Sequence, residues 1–263
     1  MTFYLATTLI VLGLFGGFFS GWLGIGGGII MAPLLLYVPA AIGTGSLDMK
    51  TVAGLTMAQS LFATGSGAIV HRKFQYISRK LVLWMGAGAT IASLAGAVFS
   101  RQLSSGVLQG IFTLLALAAA GLMLIPFTEA AEEPAAGSVD FNRALALICA
   151  LAIGFVGGMV GQSGAFIVIP VMLYIIKIPT RTAIGSSLGI VFLAALAGSI
   201  GKIATGQLDY YMALFCVIGA VTGAQLGGLL SINTRRQWLR HVLAVLIAAT
   251  ALRMAWDLAG QWL

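Results

Sequence analysis

The sequence predicts an all-α polytopic membrane protein made of two inverted-topology repeats of about five helical segments each, with short or broken helices at its glycine motifs. Three observations predict it. Apolar residues make up 60 % of the 263 and charged ones 8 %, whereas a soluble domain carries about 25 % charged residues. Ten apolar segments follow one another from end to end. The two halves repeat their glycines and prolines in register while their basic loops change places.

The segments fall at roughly 3–22, 25–39, 51–70, 81–100, 106–126, 143–160, 162–177, 182–201, 210–230 and 238–258. A crossing takes about 20 apolar residues, within a range of about 17–25, so the second and seventh are short. The first has no Lys or Arg before Lys50; without a basic n-region it reads as a retained span, not a cleaved signal peptide. Its Gly13, Gly17 and Gly21 have the spacing at which small residues let helices pack closely.

The second segment opens in GWLGIGGGIIMAPLLL, residues 21–36, and the seventh in GMVGQSGAFIVIPVMLY, 158–174. The third opens with KTVAGLT, 50–56, and the eighth with RTAIGSS, 181–187. Each of these has a cation, a Thr, a Gly and then hydroxyls. Cys149 and Cys216 sit in apolar runs without CxxC or His-rich spacing, which points to core packing and not to a disulfide or a metal site. The polar stretch FTEAAEEPAAGSVDFNR, 127–143, divides the chain. Residues 1–126 then form the first transmembrane repeat, 127–142 a cytoplasmic linker and 143–263 the second, inverted repeat.

A shift of 137 residues lays Gly24 on Gly161, Gly27 on Gly164, Pro33 on Pro170 and Tyr37 on Tyr174. Past a longer loop the shift becomes 131, laying Thr51 on Thr182, Gly54 on Gly185, Gly67 on Gly198, Gly88 on Gly219 and Gly96 on Gly227. Apolar runs align by chance on Leu and Ala, seldom on so many glycines and prolines.

The net charge of +7 comes from short basic clusters between apolar runs, which suits topology and not nucleic acid. Arg72, Lys73, Arg79 and Lys80 follow the third segment, and only Lys202 follows the eighth. Arg101 alone follows the fourth, but Arg235, Arg236 and Arg240 follow the ninth. Placing 71–80, 127–143, 177–181 and 231–240 inside collects 10 of the 14 Lys and Arg there, as the positive-inside rule asks. Lys50, Arg101, Lys202 and Arg253 stay outside. Five crossings per half invert the second half. Both termini are then expected on the periplasmic side of a bacterial inner membrane.

Inverted repeats with broken helices at matching places point to a transporter site near the midplane. Gly24, Gly26, Gly27 and Gly28 should interrupt the helix and leave the first amides of the next one free, an anion-binding arrangement. In the second half Gly161, Gln162, Ser163 and Gly164 stand there, adding an amide and a hydroxyl. Thr51 and Thr56, with Thr182, Ser186 and Ser187, would line the same cavity from the third and eighth segments. Lys50 and Arg181 would attract an anion from opposite sides. The plainer alternatives are close packing for the glycines, backbone bonding for the hydroxyls and snorkelling for the two cations.

All seven acids lie in loops or at segment ends, so a cation substrate or a carboxylate proton relay is not expected. GQSG has the form of an intramembrane serine protease motif, but the two histidines, His71 and His241, border basic loops. Ser163 also aligns with Gly26, which suggests a duplicated scaffold. No HExxH or P-loop appears. No enzyme activity, cofactor or metal is expected.

On GWLGIGGGIIMAPLLL with KTVAGLT, and GMVGQSGAFIVIPVMLY with PTRTAIGSSLGI, the chain resembles the TauE/SafE sulfite exporter-like family (DUF81 or TSUP-type permeases) along essentially its whole length. The resemblance implies a bacterial permease for sulfur-containing anions such as sulfite or sulfoacetate, with export the expected direction. Its glycine motifs carry over to Gly24, Gly26, Gly27, Gly28, Gly161 and Gly164; GQSGA departs from the usual second glycine triplet. The expectation is therefore a carrier that binds a small anion between the starts of segments two and seven and works by alternating access. A passive channel for small anions or neutral solutes, and a membrane subunit that needs a partner protein, remain the alternatives. The expected partners are the small anionic substrate and the lipid bilayer, without nucleic acid; a homodimer is common among inverted-repeat carriers.

Overall fold

The computed structural model describes residues 3–24, 26–72, 77–124 and 140–262. Among these the chain forms ten α-helices and no strand: α1 (Phe3–Leu23), α2 (Gly28–Ala41), α3 (Met49–Arg72), α4 (Arg79–Phe99), α5 (Ser105–Leu124), α6 (Arg143–Met159), α7 (Ala165–Pro170), α8 (Thr180–Ala204), α9 (Tyr210–Asn233) and α10 (Arg236–Trp262). Part of the basic loop 71–80 and all of the polar linker before Asp140 lie outside the described residues. Six helices are long and apolar enough to cross a membrane, while Gly28–Ala41, Arg143–Met159 and Phe166–Ile175 are shorter apolar helices. The chain is thus an all-α polytopic membrane protein.

Local chemistry sets the helix ends. Asp48, Asn142 and Asp209 begin α3, α6 and α9, their side-chain oxygens accepting from the backbone N–H of Thr51, Leu145 and Met212. Each satisfies one of the free N–H groups at a helix start. At the end of α8, Gly206 takes φ 69°, its N–H reaching Ile203 O at 3.0 Å while that of Gln207 reaches Lys202 O at 2.9 Å. This glycine-terminated cap lets α8 run past residue 201.

That extension corrects the expected place of Lys202. It is not in an outward loop but inside α8 and fully buried. The seventh segment also differs from a single helix over 162–177. Pro170, which has no N–H to donate, ends α7, and Val171–Ile175 continues as a π-helical stretch. In α2, Pro33 and Pro39 are both kept within the helix. Its 14 residues reach about 21 Å at 1.5 Å per residue, short of the ~30 Å hydrocarbon thickness.

Glycines set the packing. Gly13, Gly17 and Gly21 of α1 lie against the backbones of Cys216, Ala220 and Ala224 of α9. Numbers rise together, so α1 and α9 run parallel in close contact. Gly154 and Gly158 of α6 meet Ala89 and Ser93 of α4 in the same way. Between these pairs α3 and α8 cross as antiparallel neighbours, with Met57 beside Gly198, Gly65 beside Phe192 and Gly67 beside Leu188. Exchanging the halves turns the α1–α9 pair into α6–α4 and leaves α3–α8 unchanged.

Large apolar side chains such as Leu83, Ile91, Leu114, Ile148 and Leu252 are exposed, while Thr56, Gln59, Ser60 and Thr64 of α3 are buried. A polar stripe inside and an apolar exterior suit lipid, where buried polar groups must find partners within the protein.

Candidate substrate site

The two glycine loops repeat in backbone conformation as well as in sequence. Gly24, Gly26 and Gly27 have φ of 72°, 66° and 71°, and Gly161, Ser163 and Gly164 have 79°, 52° and 69°. All lie in the left-handed region, which glycine enters freely and other residues at a cost of about 1–2 kcal/mol. Just past the end of α6, Gly161 N–H reaches Gly158 O at 3.4 Å and Gln162 N–H reaches Gly157 O at 2.9 Å. Gly27 and Gly164 then begin α2 and α7 with no side chain capping either start. No side chain therefore supplies an acceptor to the first amides of α2.

Each loop is held by a helix of the other half, the 161–164 loop by α3 and Gly24 by α8. Thr56 Oγ1 donates to Gly161 O at 2.9 Å, and Ser187 Oγ donates to Gly24 O at 2.6 Å. Gly161 lies against the backbone of Ala53, and Gly24 against the carbonyl of Ile184. In addition, Ser60 Oγ donates to Gly26 O at 2.9 Å, and Ser163 Oγ to Met57 Sδ at 3.0 Å. Thr56 and Ser187 therefore support the loops through their hydroxyls. Ser186 instead accepts the backbone N–H of Ser78 at 2.9 Å, and Thr182 is buried in the first turn of α8.

Two amides lack any partner. Gln59 and Gln162 are fully buried, and neither their Nε2 nor their Oε1 makes a hydrogen bond. A Cβ added to Gly28 would sit 2.8 Å from the Gln162 carboxamide, and one on Gly27 2.7 Å from Gln59 Nε2. The two amides thus flank consecutive residues at the uncapped start of α2. An unpaired buried polar group costs about 1–3 kcal/mol, and two carboxamides here offer four N–H donors to a ligand.

Gln59 was not singled out in the sequence. The available signal was the hydroxyl and amide spacing of Thr56, Gln59, Ser60 and Thr64, which puts a polar stripe on one helical face. Lys50 and Arg181, by contrast, occupy the first turns of α3 and α8, hence opposite ends of that antiparallel pair. Lys50 Nζ donates to Arg101 O at 3.2 Å, and Arg181 is half-buried.

At the same rim as Lys50, the Asp48 carboxylate accepts from Thr51 N–H at 3.1 Å and Ser105 Oγ at 2.8 Å. Burial raises its pKa, but the hydrogen bonds from Thr51, Ser105 and Lys50 outweigh that and hold it below the ordinary aspartate value.

The Sulfite exporter TauE/SafE family profile matches residues 9–254. The chain is 26 % identical over 248 residues to the probable membrane transporter protein YunE of Bacillus subtilis, covering 87 % of this chain and 89 % of that protein. A probable membrane transporter protein of Xylella fastidiosa is 25 % identical over 254 residues, with 91 % of each chain covered. The probable membrane transporter protein MJ0441 of Methanocaldococcus jannaschii is 23 % identical over 260 residues, covering 94 % of each. No solved structure matches. With a profile match across nearly the whole chain, a membrane-embedded helical fold and these relatives named as probable membrane transporter proteins, this chain belongs to the Sulfite exporter TauE/SafE family of membrane transporters.

Proposed function

We propose that the protein carries a small sulfur-containing anion, an oxyanion such as sulfite or an organosulfonate such as sulfoacetate, across a bacterial inner membrane by alternating access. The observation that carries this reading is the pair of partnerless amides, Gln59 and Gln162, at the uncapped start of α2. An anion held there would take N–H donors from both carboxamides and from the helix start, whose dipole favours negative charge. Thr56, Ser60 and Ser187 would hold the glycine loops in shape through their carbonyls.

The inverted duplication belongs to this proposal. In its favour, α3 runs antiparallel to its repeat partner α8, while α1–α9 and α6–α4 form matching parallel pairs. A two-fold axis lying across these helices, and so in the membrane plane, relates such partners. Rocking of one repeat against the other would then open the site alternately to each side. With the basic loops inside, both termini are periplasmic.

Purified protein in liposomes tests the reading. Saturable sulfite or sulfoacetate flux with counterflow is expected, and it should fall at least about tenfold in Gln59→Met and Gln162→Met, the loss of roughly one good interaction. Undiminished flux in both variants would remove the amides from the site. Unitary current steps would replace the carrier by a channel.

A further inference from the structure

Among the described residues, Lys202 is the largest polar side chain buried without exposure, at 0 %, and the glycine site does not use it. Its Nζ donates to Ser100 Oγ at 2.7 Å, Gln207 Oε1 at 3.0 Å and Met159 O at 3.2 Å. The Ser100 hydroxyl also lies 2.6 Å from Ala97 O and 3.1 Å from Gln207 Oε1, both acceptors for its one hydrogen, so toward Lys202 it is an acceptor. Three acceptors around one nitrogen ask for three N–H donors, which the ammonium has.

None of those partners is an acid, and Lys50, whose charge also bears on the site, has the same sign. The three bonds solvate the charge; only the carbonyl at the end of α6, with its share of the helix dipole, begins to neutralise it. A lysine that snorkels would expose its head, and this one is wholly enclosed. A staple joining α6, α8 and the 100–102 turn needs donors only, which a neutral amide supplies without the cost of burying a charge. Met159 leads within three residues to Gln162.

We propose that Lys202 is the fixed counter-charge of the transported anion, a second station beside the Gly161–Gly164 loop that holds monovalent or divalent oxyanions as they enter or leave the glycine site. The inference rests on the anion-carrier reading above. An anion at this station completes the charge balance that the protein leaves open, and it replaces one or more of the three neutral acceptors. The amides of Gln59 and Gln162 recognise shape and hydrogen bonding, whereas Lys202 recognises charge.

The test compares two probes of the same shape, methanesulfonate and dimethyl sulfone, one anionic and one neutral. Their binding to detergent-purified full-length protein is followed by thermal stabilisation. Wild-type protein should prefer the anion by at least about tenfold. In Lys202→Met the preference should collapse toward one, with Lys202→Arg restoring most of it and Gln162→Met weakening both probes. Should Lys202→Met fail to fold, Lys202→Gln keeps donors for the staple and should show the same collapse. An intact preference in a folded Lys202→Met or Lys202→Gln, alongside lost binding in Gln162→Met, overturns this inference and leaves the carrier site standing. Failure of wild-type protein to bind methanesulfonate, sulfite or sulfoacetate overturns both.

Discussion

The hydroxyl of Thr56 donates to the carbonyl of Gly161 at 2.9 Å, across 105 residues of sequence. Its repeat partner Ser187 makes the same bond to Gly24, the repeat partner of Gly161, at 2.6 Å. Each half of the chain therefore supports the glycine loop of the other. Removing one hydroxyl leaves a buried carbonyl short of a donor, at about 1–3 kcal/mol. Thr56→Val and Ser187→Ala should each lower the thermal midpoint in detergent, and the double variant should lose close to the sum because the two bonds are separate. Unchanged midpoints would mean that the loops hold themselves.

Gly161 and Gly43 separate backbone strain from crowding. Both have positive φ, 79° and 71°, but a Cβ on Gly161 would collide with the Ala53 backbone while one on Gly43 meets nothing within 4 Å. Gly43→Ala should cost only the left-handed strain, about 1–2 kcal/mol. Gly161→Ala must also push α3 away from the loop and should abolish folded, monodisperse protein. Equal yields and midpoints for the two variants would contradict the close approach.

The partnerless amides predict a divergence between stability and function. Gln162→Met and Gln59→Met keep the side-chain length and remove groups whose burial without partners costs about 1–3 kcal/mol each. Ligand-free variants should melt at or above the wild-type temperature while their anion response disappears. Such a trade is usual where a site is kept ready for its ligand. A lower midpoint together with intact transport would make the amides structural.

Asp48 gives a pH dependence with a defined sign. Its folded-state pKa lies below its unfolded value, so its contribution to stability is present above the unfolded pKa of about 3.9 and fades as pH falls toward the folded value. Lowering the pH through 4 should therefore depress the thermal midpoint of wild-type protein more than that of Asp48→Asn. Parallel curves would remove Asp48 from the acid response.

Much of this molecule was legible in the amino-acid order because the governing effects are local or repeated. Continuous apolar runs gave the helices, with bounds close to those observed. Glycines with positive φ marked both loops, since Gly24, Gly27, Gly161 and Gly164 stand where few other residues fit. The likeness of the two glycine motifs doubled each signal, and that is how Gln162 and Ser163 stood out against the first-half pattern. Gln59 had no such contrast. It lies in the middle of an apolar segment, its repeat partner is Ile190, and whether its amide is satisfied depends on a loop thirty residues away. Lys202 was misplaced for the same reason.

The sequence by itself determined the membrane class, the helical segments and the positions of the broken helices, because hydropathy and glycine conformation act over a few residues. Only the tertiary structure decided that Thr56 and Ser187 clasp opposite loops, that two glutamine amides go without partners, and that a lysine near a helix end turns inward. Hydrogen-bond satisfaction and the desolvation of a charge are properties of all the groups packed around an atom, and the chain brings those groups together from both halves.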